Sequence, residues 1–316
     1  MNETGHPRSG GDRRPEMRVL SVLSRIGRRS GAALLVGVLT IGLLALRGAS
    51  GAAPTRVAVA PAPHQRLYLA ANSPVPALYL VAPGARARRL SLLPPRAPLS
   101  LSASGSDLLL GMEHELAFSS DAGRSWRNTG VPGAHFLATA LSGADGLAVA
   151  WGEALWYTHN GGVSWARGLV GAAYLQVNSV VIEPGGPWYA ASELALLESL
   201  DGGATWTALK GLPDRLTALS EVGGAVFVGT WRGQVLASTS GFQSITKVPG
   251  GIWALNGGAW LATTSGLYQG DKLVGLGRSE FVALVRSGSM LYAVTAGGDR
   301  VWADTASGWR MVSTAS

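Results

Sequence analysis

Three observations predict an all-β protein assembled from repeated four-stranded units. The stretch Ser119-Ser120-Asp121-Ala122-Gly123-Arg124-Ser125-Trp126 recurs as Thr158 to Trp165 and again as Ser199 to Trp206. Its closing Trp residues are 39 and 41 positions apart, the length that one four-stranded propeller blade occupies. Apolar runs ending in small residues recur in step with it: Leu67 to Ala70, Leu108 to Gly111, Leu147 to Ala150, Trp188 to Ala191, Val226 to Gly229, Trp260 to Thr263 and Leu291 to Val294. No long 3.6-residue pattern follows residue 50, which excludes a helical solenoid. Seven such runs predict a seven-bladed β-propeller of antiparallel blades, with six blades and an extra hairpin as the alternative.

Four segments are expected along the chain. Residues 1–30 form a basic tail, and residues 31–46, GAALLVGVLTIGLLAL, are sixteen positions without a charge. As a helix they cover about 24 Å, close to the roughly 30 Å of a bilayer core. Arg25, Arg28 and Arg29 hold the preceding end in the cytoplasm, so a transmembrane signal anchor is expected, with a cleaved signal peptide as the alternative. Residues 47–63 form an Ala/Pro-rich linker, from Ala49 on small residues and Pro with only Arg56 charged, suited to a tether, although Val57 to Ala60 equally fits an edge strand. The propeller is expected over 64–316, outside the cytoplasm. Late repeats shorten because their turn residues disappear, with the strands kept.

Composition narrows the function classes. With 44 Gly and 16 Pro in 316 residues and 47% apolar content, the chain is neither low-complexity nor collagenous. It has no Cys, which removes disulfide scaffolds, thiol nucleophiles and cysteine metal sites. Of the net charge of +7, nine Arg and three acids before residue 57 account for +6. The rest is nearly neutral and offers no basic stripe for nucleic acid.

The recurrent octapeptide has a structural chemistry. Asp121, Asn160 and Asp201 carry short polar side chains able to accept backbone N–H groups inside a hairpin turn. Gly123, Gly162 and Gly203 permit positive φ, and Ser119, Thr158 and Ser199, with Ser125, Ser164 and Thr205, add hydroxyl bonds. Trp126, Trp165 and Trp206 then supply large rings to fill gaps between neighbouring units. These residues resemble the Asp-box (BNR) repeat, Ser-x-Asp-x-Gly-x-Thr-Trp, found in sialidases, sortilin-type receptors and photosystem II assembly and stability factors. The copy ending at Trp206 matches every signature position, and Ser238 to Ile245 reads as a decayed fourth copy. The resemblance implies that the boxes join third to fourth strands, away from the functional face.

The loops from second to third strand then gather on the opposite face. They contribute Glu113, His114 and Glu115, then Trp151 and Glu153, Glu193, Trp231 and Arg232, and Asp299 and Arg300. Connections between blades add His135, Tyr174, Asp214, Arg215 and Arg278. Carboxylates on three consecutive blades, with Arg232, Arg278 and Arg300 across the opening, predict opposed charged arcs that orient a partner. Trp151 and Trp231 are candidate contacts. Glu113-His114-Glu115 reads as a solvated loop, since alternation along a strand would turn His114 away from the two Glu side chains.

Sialidase chemistry fails on inventory. An active sialidase would carry Arg-Ile-Pro and an acid in an early loop, whereas this chain lacks that tripeptide and has no Asp or Glu from Met17 to Ser106. The expected function is a non-catalytic binding or assembly scaffold for a protein or envelope macromolecule, membrane-tethered and without a cofactor or metal. A glycan-active or glycan-binding propeller is the alternative; Glu113, Glu153 and Glu193 are available, no sequence spacing identifies a pair at glycosidase separation, and turnover of aryl glycosides separates the two readings.

Overall fold

The computed structural model describes Leu39–Thr40 and residues 57–72, 75–171, 176–213, 215–276, 279–296, 298 and 300–312. The described residues form seven four-stranded antiparallel blades in chain order. Their first strands, nearest the axis, are Val57–Ala62, Pro98–Ser104, Phe136–Ser142, Val177–Ile182, Leu216–Val222, Ile252–Asn256 and Phe281–Ser287. The second strands are Arg66–Ala71, Asp107–Met112, Asp145–Ala150, Trp188–Ser192, Ala225–Thr230, Trp260–Thr263 and Met290–Thr295, and each contains one of the seven apolar runs. Third strands run Ala77–Val81, Glu115–Ser119, Ala154–Thr158, Leu196–Ser199, Gln234–Ala237, Gly266–Gln269 and Val301–Thr305. Outer strands are Arg88–Leu92, Arg127–Asn128, Ala166–Arg167, Thr207–Ala208, Gln243–Lys247, Lys272–Leu273 and Gly308–Val312.

Burial explains the pattern. A second strand is covered on both faces by adjacent blades, so it reads as a continuous apolar run and not as an alternation. Outer strands such as Arg127–Asn128 are exposed. First strands are the innermost of each blade. Val57–Ala62 (VAVAPA) is one of them: placed by sequence in the tether, with an edge strand over Val57 to Ala60 as the equal alternative, it is instead the buried innermost strand of blade 1. The described part of blade 1 therefore begins at Val57.

Adjacent first strands are cross-linked by side chains. Ser100 Oγ donates to Phe136 O (2.8 Å), Asn178 Nδ2 to Leu216 O (3.3 Å) and Thr217 Oγ1 to Ile252 O. Ser179 and Ser220 accept from Leu219 N and Gly257 N, both at 3.0 Å. The ring closes by the same device, Ser287 Oγ donating to Ala62 O (2.6 Å), joined by Tyr292 OH to Gln65 O (2.7 Å). Among the described residues no strand is shared across this seam: the strands of blade 7 lie between Phe281 and Val312 and those of blade 1 between Val57 and Leu92. One apolar cluster runs from Ala262 through Phe281 to Val57 and seals it.

Leu39–Thr40 pairs as a two-residue strand with Leu101 and Ser100 in the first strand of blade 2. The remainder of the expected apolar helix 31–46 lies outside the described residues, as does the basic tail. Among the described residues, no helix is long and apolar enough to cross a membrane.

Candidate functional site

Because strands alternate in direction, the second-to-third loops and the connections between blades share one face, here the loop face. First-to-second and third-to-fourth turns share the other, the turn face.

Backbone hydrogen bonds fix the loop face. Glu113 and His135 form an antiparallel bridge, His114 N donates to Ala134 O (2.7 Å), and Trp151 N donates to His135 O (2.9 Å). Further round, Arg215 N donates to Glu193 O (2.7 Å) and Trp231 N to Arg215 O (3.0 Å). The loops of blades 2 and 3, and those of blades 4 and 5, are thus tied together through the intervening connection, a preorganised surface that loses little entropy on binding.

The side chains differ in how free they are. Glu153 is exposed, with its Oε2 accepting from Ala134 N (3.2 Å), and Glu193 is exposed. Glu115, expected in the acidic arc, is half-buried and paired with Arg96 at 3.4 Å, so its charge is compensated locally. His114 is exposed in the left-handed region (φ 58°), its ring centroid 5.8 Å from that of His135. The chain turns at Glu113 and His114 before the third strand starts at Glu115, so strand alternation does not govern the three side chains. Arg232 and Arg300 are exposed in the loops of blades 5 and 7. Tyr174, Asp214, Arg278 and Asp299 lie outside the described residues. Among the described residues, no three His, Asp or Glu side chains gather as metal ligands do.

Large apolar side chains share this face. Trp151 is 37% exposed, Leu194 58%, Trp231 39% and Val75 45%, all in second-to-third loops. Trp231 stands edge-on to Trp253, with centroids 5.2 Å apart, and Trp253 Nε1 donates to Glu280 Oε1 (2.8 Å). Sequence reasoning did not find Trp253 or Glu280. Trp253 occupies a β-bulge at the start of its strand, where the pairing with the second strand shifts, as it does at the same place in every blade but the first. A bulge re-aims a side chain in a way that strand periodicity does not show.

The recurrent octapeptides form third-to-fourth turns on the turn face. Asp201 accepts from Ser199 Oγ (2.9 Å), Thr205 N (2.8 Å) and Thr205 Oγ1 (2.6 Å), while Ser199 Oγ accepts from Gly203 N (2.8 Å). Gly203, at φ 95°, leaves no room for a side chain, because a Cβ would lie 2.9 Å from both Trp188 and Tyr157. Asp121 repeats the pattern, accepting from Ser119 Oγ, Arg124 N, Ser125 N and Ser125 Oγ. These bonds stabilise the anion and hold both carboxyls below the usual carboxylate range. Asn160 does the same without charge: Oδ1 accepts from Thr158 Oγ1 (2.8 Å) and Ser164 N (3.0 Å), and Nδ2 donates to Ser164 Oγ (2.8 Å). Of the three Trp rings expected to fill gaps, Trp206 is buried, whereas Trp126 and Trp165 are half-buried. The stretch Ser238 to Ile245 occupies the equivalent turn of blade 5 but folds differently, through a short 3-10 turn, Ser238–Ser240, closed by Gly241 in the left-handed region.

The turn face also holds Glu183, whose carboxyl is pushed up by burial and by the nearby charge of Glu221. Between blades 3 and 4, an open cleft of about 440 Å³ is lined by Arg167, Leu169, Val170 and Trp206 among others.

The ring and its turns define the class: a seven-bladed β-propeller with four-stranded antiparallel blades. Comparison with solved structures gives its likenesses. YCF48 from Cyanidioschyzon merolae superposes with a TM-score of 0.57 at 16% identity, covering 84% of this chain and 97% of that one. YCF48 bound to a D1 peptide gives 0.60 at 14%, covering 88% and 100%. An ancestral GH74 enzyme gives 0.61 at 14%, covering 88% of this chain and 48% of its own. At these identities the likeness shows the fold. No family model and no curated protein sequence matches the chain.

Proposed function

We propose that this propeller is a non-catalytic binding or assembly scaffold for another protein, held outside the cytoplasm by its N-terminal segment and engaged through its loop face. The observation that carries the reading is the hydrogen-bonded loop face, which presents Trp151, Leu194 and Trp231 to solvent beside Glu153 and Glu193. Large exposed apolar side chains on rigid loops mark interaction surfaces. A propeller of the same shape, YCF48, is described bound to a D1 peptide, which supports a peptide or protein partner here. We read the three octapeptide turns as Asp boxes, since their bonds serve the turns themselves.

Tethering rests on the composition of residues 31–46 and the Arg residues before them. The pairing of Leu39–Thr40 with blade 2 competes with it, because a segment inside the bilayer does not also line the ring. A glycan-binding or glycan-active propeller is the second reading, favoured by exposed Trp rings and the shape shared with the GH74 enzyme.

The test is affinity capture from the native envelope, followed by association kinetics with the purified partner. Glu153→Lys with Glu193→Lys is expected to slow association, more so at low salt, with stability changed by less than about 0.5 kcal/mol. Turnover of aryl glycosides that is lost on mutating Glu153 or Glu193 would replace this reading with the second.

A further inference from the structure

Resting on that reading, we propose that the partner is engaged as an extended protein segment with basic residues beside large apolar ones, laid over the loops of blades 3 to 5. Ten large apolar side chains are exposed among the described residues; Val75, Trp151, Leu194 and Trp231 are those in second-to-third loops. Three of the four belong to the consecutive blades 3, 4 and 5. Exposed carboxylates sit beside two of them, Glu153 two residues from Trp151 and Glu193 next to Leu194.

The complementary ligand follows from this order. Apolar side chains pack against Trp151 and Leu194 while Lys or Arg residues between them meet Glu153 and Glu193. Trp231, braced by Trp253, is a rigid aromatic contact that loses little side-chain freedom on binding. Arg215, in the connection between Glu193 and Trp231, and Arg232 are exposed toward the blade 5 end. They select against a segment that is basic throughout, so the residue meeting Trp231 is apolar or aromatic and uncharged. Glu115 contributes little attraction because Arg96 already pairs with it.

The full-length chain in detergent or nanodiscs is titrated with twelve-residue fluorescent peptides of three designs: Lys/Arg with Leu/Phe, Glu/Asp with Leu/Phe, and Lys/Arg with Ser/Gly. The first design is expected to bind most tightly. Its affinity should fall about tenfold or more in Trp151→Ala, as for an aromatic anchor, and should lose its salt dependence in Glu153→Gln with Glu193→Gln. Leu200→Ser, on the turn face, is the control expected to change nothing, and the unfolding midpoint of each variant checks folding. Equal binding of the acidic design, affinity unchanged by both sets of loop variants, or no binding above the Ser/Gly design overturns the inference. Acidic peptides bound through Arg215 and Arg232 would do so while leaving the scaffold reading intact. Binding lost only in Leu200→Ser would overturn both, as would Trp151-dependent binding on a glycan array without any peptide binding.

Discussion

Asp201 offers a comparison that the chain makes with itself. Its carboxylate accepts three hydrogen bonds, whereas Asn160 in the neighbouring blade forms the equivalent turn with a neutral amide. Asp201→Asn should keep the Ser199 Oγ and Thr205 N bonds and replace the third by an amide donating to the Thr205 hydroxyl. Asp201→Ala removes all three acceptors. Water reaches this exposed turn and replaces part of the loss, so the alanine change should cost about 1–2 kcal/mol and the asparagine change under about 1 kcal/mol. The folded-state carboxyl is held below its unfolded value, so its stabilisation is present above the unfolded pKa and is lost as pH falls through the folded value. Urea unfolding of wild type and both variants should therefore show the alanine cost in full at pH 7 and reduced at pH 3. Equal costs for Asn and Ala, or an alanine cost that does not shrink with acid, would refute the account of the turn.

Other expectations follow from the same structure. Trp206→Ala should cost about 3–5 kcal/mol as a buried ring leaves a cavity, and Trp126→Ala and Trp165→Ala less because those rings are half-buried; thermal melts rank the three. Glu183→Gln should raise the melting temperature at pH 7. Its carboxyl titrates above the unfolded value, so the advantage of its protonated form is complete below about pH 4 and lost as pH rises; wild type and variant should converge in acid. Protease added to intact spheroplasts should degrade the propeller and spare the first thirty residues, whereas a soluble mature chain starting after residue 50 would establish a cleaved signal.

What was legible in the sequence follows from which contacts are local. Each octapeptide turn closes within eight residues, so its bonding could be read from residue types alone. Second strands were legible because both faces are buried, leaving runs such as Leu108 to Gly111 wholly apolar. Val57–Ala62 misled because its Val, Ala and Pro residues, buried here in an innermost strand, are also those of a tether. The loop face was assigned in outline, since antiparallel alternation places every second-to-third loop together. Its details were hidden: Arg96 meets Glu115 across nineteen positions, Glu280 meets Trp253 across twenty-seven, and Trp253 is aimed by a bulge. Such pairings depend on how consecutive blades stack, which no local pattern encodes.

The start of the first blade sets the face at which the chain enters the ring. Val57 opens a first strand, so the chain enters the propeller on the loop face, and Gly298 of a blade 7 loop packs so closely there that a Cβ would clash with the Val57 side chain. If residues 31–46 anchor the chain as proposed, the ten positions from 47 to 56 are all that separate bilayer from ring. Fully extended they span at most about 35 Å. The candidate binding surface would then look down at the membrane across a gap the thickness of a small domain. A partner fitting there would itself be membrane-embedded or lie flat on the lipid surface, shielded from the open compartment by the disc above it.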